Sequence, residues 1–474
     1  MTDDSDSTRS TDEQYENHLP SDSVLAGLRD AAILLATTDP AAGSGEDLAP
    51  VGGRLADAAV VGLGEATHGT REFFQLKHRL LQELVVEHGV RAFAMEANLP
   101  EAMALDDYVA HGEGDPRDPR DALAGVYFWT WQVESVLAMI EWLREFNADR
   151  PREDRVRVFG FDAQYTRGAV ARLREHFGRV DPDFRSAVDD DLDVLDDEGE
   201  PPTQDEHVDE RLAAVDRVVP RLREHLAANR GAHVAATSAV AAERADRYVA
   251  VLEQAVDYAA ALDDIDDDGG DGDESDDDAL ERLVRMRDGA MADNVAWIRE
   301  HTGADTLVLW AHDGHLNRVE QSVVGTDASA PSLGAHLADR HGDDYYALGF
   351  SFGRGTFQAM SEGADGEYAL REQRVDGPVA GTFDAAMHAL DEPLAVLDLR
   401  AANADDRAGD WLAQPRAQFR TGGTYDTDDP TDQLVEYAYA DAFDGVCFVA
   451  ETTRARPLDG VDAVADDGED SAGQ

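Results

Sequence analysis

Short apolar runs that alternate with amphipathic helices limit the possible folds of this chain more than any other feature. The helical spacing of apolar residues is clearest at 73–85 and 136–146. Strands that are apolar on both faces occur in sheets that are covered on both sides. The alternation therefore predicts an α/β protein with a mostly parallel sheet covered by helices. The predicted strands are Ala58–Leu63, Ala92–Glu96, Arg155–Phe161, Thr306–Trp310, Tyr345–Ser351, Leu394–Leu397 and Gly445–Val449.

The length of 474 residues and the position of one helical stretch predict a discontinuous core with an insertion. We assign residues 23–169 and 301–458 to an α/β catalytic core. Residues 170–300 lie between the third and fourth predicted strands and contain long stretches of Ala, Arg and Glu, which favour helices. This segment is predicted to be an inserted helical cap.

Four acidic segments carry few apolar residues. The two tails, residues 1–22 and 459–474, have almost nothing to bury and are predicted to be disordered. Two internal runs, Asp189–Glu200 and Asp263–Asp278, are predicted to be solvated acidic loops. The residues between them, 206–262, have the composition of a helical hairpin.

The charge balance excludes several classes of partner. The chain has 100 Asp and Glu against 41 Lys and Arg, which gives a formal net charge of −59. Such a chain repels phosphate backbones and anionic lipids, so neither nucleic acid nor a membrane is an expected partner. The basic residues are all arginine except Lys77. An acidic chain that is poor in lysine indicates adaptation to molar salt, and we expect a halophilic source.

The cysteine content and the hydropathy of the sequence limit the possible cofactors and the cellular location. Cys447 is the single cysteine, which excludes an intrachain disulfide and any metal or iron–sulfur centre built from several cysteines. The sequence contains no run of 18 apolar residues and no secretory signal, so we expect a cytoplasmic protein. The sequence indicates no particular protein partner.

Histidines and carboxylates follow four of the predicted strands at the point where each strand ends. The carboxyl ends of parallel strands meet at one edge of a sheet, and ligands bind at this edge. A histidine beside a carboxylate is typical of general acid–base catalysis. The convergence therefore predicts an active site. Its members are Glu65, His68, Glu96, Asp162, His312 and His315.

The glycines of the first of these loops do not form a phosphate-binding motif. Gly62, Gly64 and Gly69 lack the spacing of a dinucleotide fingerprint. A P-loop would require lysine where Thr70 stands, and Glu65 would bring a negative charge to the phosphate. Both phosphate-binding interpretations are rejected.

A serine hydrolase is one alternative. Gly349–Gly353 matches the pattern G-x-S-x-G around Ser351, and His388 follows as a possible partner. A nucleophile elbow requires a strand, a sharp turn and then a helix. The residues after Ser351 have the pattern of a loop or a strand, which favours a serine at a strand end.

A metal-dependent hydrolase and a binding protein without turnover are two further alternatives. The segments Glu65–His68 and His312–His315 have the composition of a zinc or manganese site, although the helical H-E-x-x-H signature is absent. The same groups suit metal-free chemistry, with histidine as the base and a carboxylate that orients it. A pocket with these residues could also bind a ligand without converting it.

Several motifs, in order from about residue 25 to 458, resemble the erythromycin esterase family. The resemblance implies an α/β core with a helical portion over the site and hydrolysis of a carboxylic ester without a cofactor. The best-known members open the macrolactone ring of erythromycin-type antibiotics, a resistance activity, without a covalent acyl-enzyme. The matching stretches are Gly64–Gly69, Glu72–Phe74, Phe93–Pro100, Phe159–Gln164, Arg287–Asp288 with Met291 and Asn294, Trp310–His315, Tyr345–Phe357 and Val446–Leu458.

The resemblance also implies roles for five of the site residues. His68 matches the essential histidine of the family, the general base that takes a proton from water. Glu65 and Glu96 match its carboxylates, which are expected to orient His68 or hold the water. His312 and His315 match its downstream pair, for which we expect a contact with the ester carbonyl or the oxyanion.

Three residues are predicted to contribute to substrate binding. Lys77 lies where the family has an arginine or lysine, Arg71 is a second candidate for this cation, and Asp162 ends the third strand. Glu72 and Asp313 are assigned to capping or solvent exposure and left out of the site. The acidic additions and the enlarged cap leave the substrate open between a macrolide and another small hydrophobic ester or lactone.

Overall fold

The computed structural model describes residues 20–461 except for eight short gaps. The predicted disordered tails therefore lie almost entirely outside the described residues, as do the end of the first acidic run and the middle of the second. The gaps are 43–44, 113–117, 197–206, 267–275, 325, 327, 364–365 and 426–428.

The described strands form one nine-stranded sheet and two two-stranded ribbons. The sheet runs in the order β1-β10-β13-β8-β2-β5-β3-β4, and β9 pairs with β8. Neighbours from β13 to β4 are parallel, whereas β1, β10 and β9 pair antiparallel. The predicted fold class, a mostly parallel sheet covered by helices, is confirmed. The bounds are β1 Ala32–Leu34, β2 Val60–Leu63, β3 Ala92–Asn98, β4 Arg157–Asp162, β5 Leu307–Trp310, β6 Glu320–Ser322, β7 Ser329–Pro331, β8 Tyr345–Glu362, β9 Tyr368–Val375, β10 Leu394–Asp398, β11 Arg416–Phe419, β12 Leu434–Tyr437 and β13 Gly445–Thr452.

Helices cover the sheet and supply most of the chain between strands. Their bounds are α1 Asp22–Ala31, α2 Ala49–Ala56, α3 Arg71–Val86, α4 Leu99–Val109, α5 Pro119–Ala124, α6 Glu134–Asn147, α7 Arg167–Val180, α8 Pro182–Val194, α9 Val208–Ala228, α10 Arg230–Ala236, α11 Ala239–Asp266, α12 Asp276–Thr302, α13 Asp313–Leu316, α14 Leu333–His341, α15 Phe383–His388, α16 Leu399–Asn403, α17 Gly409–Leu412 and α18 Tyr439–Ala442. Among the described residues, no helix has both the length and the apolar character that crossing a bilayer requires.

Two hydrophobic cores lie on opposite faces of the sheet. Successive side chains of a strand point to opposite faces, so Ala92 and Ala94 pack in one core while Phe93 and Met95 pack in the other. All of them are fully buried. This double burial explains why the central strands appear in the sequence as nearly continuous apolar runs.

The eighth strand is much longer than the apolar run that predicts it. The prediction ends at Ser351, but β8 continues to Glu362 and forms a hairpin with β9. Phe357 and Ala359 are buried beyond the predicted end, whereas six of the eight residues of β9 are exposed or half-exposed. The short β1 is also missing from the prediction. The added part of β8 pairs with β9, and β1 pairs with β10. A search for apolar runs does not detect strands that form through such pairing.

The segment between β4 and β5 is helical in its described residues, from α7 to α12. Helices α9 and α11 pack against each other, with the short α10 between them. The loop prediction for Asp189–Glu200 is wrong for its first residues, because Asp189–Val194 belong to α8. Val188 and Leu192, four residues apart, are buried and give this acidic helix an apolar face.

Candidate active site

Neighbouring parallel strands bring the predicted site residues to one edge of the sheet. Leu63 of β2 and Met95 of β3 both pair with Trp310 of β5, so these three strands end at the same level. The register of β3 shifts between Met95 and Asn98, and Glu96 lies within this irregularity. Such irregularities change the direction of a side chain, and β3 resumes its pairing beyond the predicted end at Glu96, with Asn98 opposite Asp162.

His68 forms a hydrogen-bonded pair with a buried carboxylate. Its Nδ1 lies 2.6 Å from Oε1 of Glu65. The side chain of Glu65 is fully buried, whereas 15% of the His68 side chain is exposed. A carboxylate can only accept, so Nδ1 carries the proton and Nε2 of the neutral ring keeps a lone pair. Nε2 has no hydrogen-bond partner within the described part of the chain, which leaves a basic nitrogen available.

Lys77 and Trp310 hold the second oxygen of Glu65. Trp310 Nε1 donates to Oε2 at 2.8 Å, and the Lys77 ammonium forms an ion pair with the same oxygen. Lys77 is fully buried, with its Nζ 4.4 Å from the centroid of the Trp310 ring. Burial outweighs the attraction of Glu65 and lowers the pKa of Lys77 to about 8. Lys77, which the sequence predicts to bind the substrate, therefore contacts Glu65 instead and holds its carboxylate in place.

Glu96, near the carboxyl end of β3, lies close to three donor groups. Its Oε2 accepts the backbone N–H of His312 at 2.9 Å. Its Oε1 lies 2.9 Å from Nη2 of Arg287 and 3.3 Å from Nε2 of His315. Burial alone would raise the pKa of Glu96, but the charges of His315 and Arg287 hold it well below its ordinary value. Glu96 is therefore an anion in a largely buried position.

His315 is held between two carboxylates. Its Nδ1 lies 3.0 Å from both carboxylate oxygens of Asp288, and its Nε2 faces Glu96. Burial would lower its pKa, but Asp288 and Glu96 outweigh burial and raise the pKa to about 9. His315 is therefore an imidazolium at neutral pH, which places a positive charge next to Glu96.

The raised pKa of His315 predicts a stability loss at alkaline pH. A base with a folded-state pKa above its unfolded value stabilises the fold fully below the unfolded value, and this contribution disappears as the pH rises through the folded value. For His315 the window runs from about 6.5 to about 9. We expect NMR of histidine labelled with ¹³C at Cε1 to show His315 titrating near 9, and Asp288→Asn to lower that value. A titration midpoint of His315 at or below 6.5 in the wild type would contradict this assignment.

His312 uses both ring nitrogens within the protein. Nε2 lies 3.1 Å from the carbonyl oxygen of Thr421, and the N–H of Gly314 donates to Nδ1 at 3.2 Å. Burial and the neighbouring His68 hold its pKa well below the ordinary value, so the ring is neutral. Its centroid is 4.9 Å from that of His68. The contact of His312 with an ester carbonyl stays a prediction, and these bonds favour a role in positioning His68.

Within the described part of the chain, Asp162 is connected to the other predicted site residues, whereas Arg71 is not. Asp162 is buried and accepts from Nη2 of Arg287 at 2.8 Å, which connects it to Glu96. Arg71 begins α3, and its backbone N–H donates to the carbonyl of Thr453. In the described structure its side chain forms no hydrogen bond or ion pair with the other candidates. The remaining seven predicted residues form one contact network.

Asp313 is not the capping or exposed residue that the sequence suggests. It is fully buried, and both carboxylate oxygens accept from the backbone N–H of Phe350, at 3.2 and 3.1 Å. Burial raises its pKa to about 7. Its carboxylate fits against the chain because residue 64 is glycine. A Cβ there would lie 1.9 Å from Oδ1 of Asp313.

This close approach predicts the effect of Gly64→Ala. The methyl group would displace the Asp313 carboxylate, and overpacking of this kind costs about 1–3 kcal/mol of unfolding free energy. The matched control is Gly53→Ala in α2, where a Cβ has no atom within 4 Å and alanine favours the helix. Urea unfolding in molar KCl, followed by tryptophan fluorescence, measures both. Equal stability of the two variants would contradict the packing argument.

Arg287 and Asp288 belong to the network although the sequence prediction leaves them out of the site. Arg287 lies four residues from both Leu283 and Met291, within the apolar stripe of α12. Asp288 is fully buried and accepts the backbone N–H of Leu333 at 2.6 Å. Charged residues on or beside an apolar stripe are the sequence signal that could have identified them.

The geometry around Ser351 differs from a nucleophile elbow. Ser351 lies inside β8, is fully buried and donates to Oδ1 of Asp384 at 2.5 Å. Phe419 donates its backbone N–H to the other oxygen at 2.8 Å. Burial raises the pKa of Asp384 to about 7. His388 is exposed, so this serine has a buried carboxyl as its partner and no strand–turn–helix context.

The described residues contain no group of three or more His, Cys, Asp or Glu side chains that could hold a metal ion. The ring nitrogens of His312 and His315 already contact protein groups. The metal-dependent alternative stays a hypothesis for experiment.

Residues 85–452 match the family model described as erythromycin esterase. Together with the fold, this match defines the class of the chain, a hydrolase with a mostly parallel α/β fold. The chain belongs to the erythromycin esterase family. The matched span contains Glu96, Asp162 and the His312–His315 segment, whereas Glu65 and His68 precede it.

Individual relatives are distant. Erythromycin esterase type II of Escherichia coli is 25% identical, over 72% of this chain and 81% of the relative. A Bacillus cereus protein of known structure has a TM-score of 0.75 at 23% identity, over 93% of this chain and 100% of that one. An erythromycin esterase mutant in its open conformation has a TM-score of 0.64 at 17% identity, over 90% and 98%. At such identities the two structures establish the fold alone.

Proposed function

We propose that this hydrolase cleaves a carboxylic ester or lactone with water that His68 activates, without a covalent intermediate. The observation that carries the proposal is the pair of His68 and Glu65. The imidazole is partly exposed, and its Nδ1 is bonded to a buried carboxylate. Its Nε2 has no hydrogen-bond partner in the described structure. This is the arrangement that a general base requires.

The chemistry follows from the hydrogen bonds. Nε2 of His68 takes a proton from water as the water oxygen attacks the carbonyl carbon. The ring becomes an imidazolium, which the Glu65 carboxylate stabilises through Nδ1–H. When the tetrahedral intermediate collapses, the imidazolium returns the proton to the leaving alkoxide. The products are a carboxylic acid and an alcohol, or a ring-opened hydroxy acid from a lactone.

Two cations that contact Glu96 support the stabilisation of an oxyanion. Arg287 is 21% exposed and is held in place by Glu96 and Asp162. The charged His315 lies beside Arg287, with its Nε2 3.2 Å from Nη1 of Arg287 and 3.3 Å from Oε1 of Glu96. We assign the contact with the developing oxyanion to Arg287, because its side chain is the more exposed of the two, whereas only 6% of the His315 side chain is exposed. Lys77 and Asp162 then act as positioning residues, Lys77 through Glu65 and Asp162 through Arg287.

The substrate class rests on the family and on one named relative. The Escherichia coli relative is an erythromycin esterase, which makes macrolides the first substrates to test. Other hydrophobic esters and lactones belong in the same panel, since relatives at 20–25% identity do not define a pocket. The excess of acidic residues further supports assays in molar KCl.

Mass spectrometry of reaction mixtures tests the proposed function. Purified protein is incubated in molar KCl with erythromycin, a series of lactones and a series of aryl esters. We expect at least one substrate to gain the mass of one water, or to split into acid and alcohol. Absence of turnover across the panel would favour a binding protein that retains the pocket.

Two further measurements separate the alternative mechanisms. Near-stoichiometric metal in the purified protein, together with loss of activity on addition of a chelator, would support a metal-dependent hydrolase. Labelling of Ser351 by a fluorophosphonate probe would support a serine esterase. The proposed mechanism predicts neither result.

A further inference from the structure

An arginine-lined cavity lies at the edge of the sheet opposite the candidate active site. It has a volume of about 550 Å³ and is formed by the end of α4, the start of β4, α7 and the beginning of α11. Arg157, which lines it, is the first residue of β4, whereas Asp162 of the active-site network is the last. At about 3.3 Å per residue the two ends are roughly 16 Å apart.

The charge of this cavity is opposite to that of the chain. Six arginines line it against three carboxylic acids, although the whole sequence has 41 basic and 100 acidic residues. Carboxylates would face an ordinary surface groove of such a chain. The lining arginines are Arg152, Arg155, Arg157, Arg172, Arg179 and Arg244.

The carboxylates of the cavity do not neutralise these arginines. Asp106 is shared by Arg157, whose Nε donates at 2.7 Å, and by Arg244 at 3.3 Å. In the same way Arg172 and Arg179 share Glu175, at 3.8 and 2.8 Å. Two guanidinium groups therefore face each of these two anions.

The third carboxyl group, Asp107, follows Asp106 in the chain, and two of the six arginines have no carboxylate partner among the described residues. Burial and the neighbouring Asp106 raise the pKa of Asp107. Arg155 donates to the carbonyl oxygens of Arg150 and Ala110. In the described residues neither Arg155 nor Arg152 forms an ion pair. The cavity thus holds an excess of positive charge for which the described residues supply no further counterion.

One buried donor in the cavity lining is also unsatisfied. Nε of Arg244 is buried and has no hydrogen-bond partner in the described structure. A buried donor without a partner is destabilising, and a bound anion would satisfy it. Arg244 lines the cavity, so its unsatisfied donor supports an anion site independently of the charge count.

We propose that this cavity binds a phosphorylated small molecule. Guanidinium groups match the oxygens of a phosphoryl group with paired hydrogen bonds, and several of them are needed to hold a dianion in high salt. The volume exceeds what one phosphate ion fills and is in the range of sites for small organic ligands. An adjoining cavity of about 170 Å³ shares Arg172 and Arg244 and adds Tyr248 as a wall for the organic part.

Isothermal titration calorimetry with inorganic phosphate, pyrophosphate and ribose 5-phosphate at fixed KCl tests this site. The test variant is Arg152→Gln with Arg172→Gln, two cavity arginines that have at most a 3.8 Å ion pair. The matched control is Arg217→Gln with Arg221→Gln on α9, which removes the same charge from exposed arginines outside the cavity. Circular dichroism checks that each variant is folded.

The proposal predicts saturable binding to the wild type and about tenfold or more weaker binding to the cavity variant. The control pair should stay within about twofold of the wild type. Tighter binding of ribose 5-phosphate than of inorganic phosphate supports an organic ligand. The reverse order assigns the cavity to the free phosphate ion and overturns the proposal of an organic ligand. No binding to the wild type, or equal weakening in both variants, overturns the site itself.

Discussion

Replacing His68 with alanine should lower kcat/KM for the ester substrate by about 10²–10⁴-fold, the usual contribution of a positioned general base. The variant removes a partly exposed imidazole whose Nδ1 is bonded to a buried carboxylate. It should leave the fold intact, because Glu65 keeps its bonds to Lys77 and Trp310. Initial rates measured over a range of substrate concentrations, with circular dichroism of the same samples, give the result.

His88→Ala is the matched control for this substitution. His88 is exposed just after the end of α3, and its contact is a 3.5 Å pair with Glu83 outside the network. Its loss should leave kcat/KM within about twofold, as expected for a surface position. A folded His68→Ala enzyme with wild-type activity would exclude His68 as the base.

Replacing Lys77 with methionine should destabilise the protein by about 3–5 kcal/mol, the range for breaking one partner of a buried ion pair. Methionine has a similar length and fits the apolar surroundings of Phe74, Trp310 and Phe350. The loss therefore arises from the Glu65 carboxylate, which stays buried without its cation. Urea unfolding in molar KCl measures the change, and activity should also fall because Glu65 would lose the ion pair that holds it in place beside His68.

A double variant separates charge from packing at this position. Glu65→Gln combined with Lys77→Met removes both charges, so it should be less destabilised than Lys77→Met alone. If the double variant is as unstable as the sum of the single variants, the two side chains do not stabilise each other. The same contacts explain why lysine occurs here among 40 arginines, since a guanidinium carries five donors into a site with one carboxylate oxygen.

The fold class and the edge that carries the candidate site could be predicted because both depend on regular features. Parallel strands buried on two faces give apolar runs, and the residues after such runs converge at one edge of the sheet. This reasoning predicts a set of six site residues without any contact information: Glu65, His68, Glu96, Asp162, His312 and His315. The roles assigned to them rest on the family resemblance and on hydrogen bonds that the sequence does not contain.

The remaining parts of the site depend on packing that the sequence does not reveal. Arg287 and Asp288 come from α12, far along the chain from β2 and β3, and their place beside Glu96 follows from how that helix crosses the sheet. Asp313 is buried only because Gly64 leaves space for its carboxylate. The edge strand β9 is too polar to be predicted and forms through pairing with β8.

Hydrolysis in water enriched in oxygen-18 tests the central claim most directly. The reaction of an accepted ester is quenched with acid, and the product and the intact protein are both weighed by mass spectrometry. Direct attack by water that His68 activates predicts one heavy oxygen in the acid product and an unchanged protein mass from the first turnover onward. An acyl adduct on the quenched protein, or heavy oxygen retained in a protein carboxylate, would contradict the account.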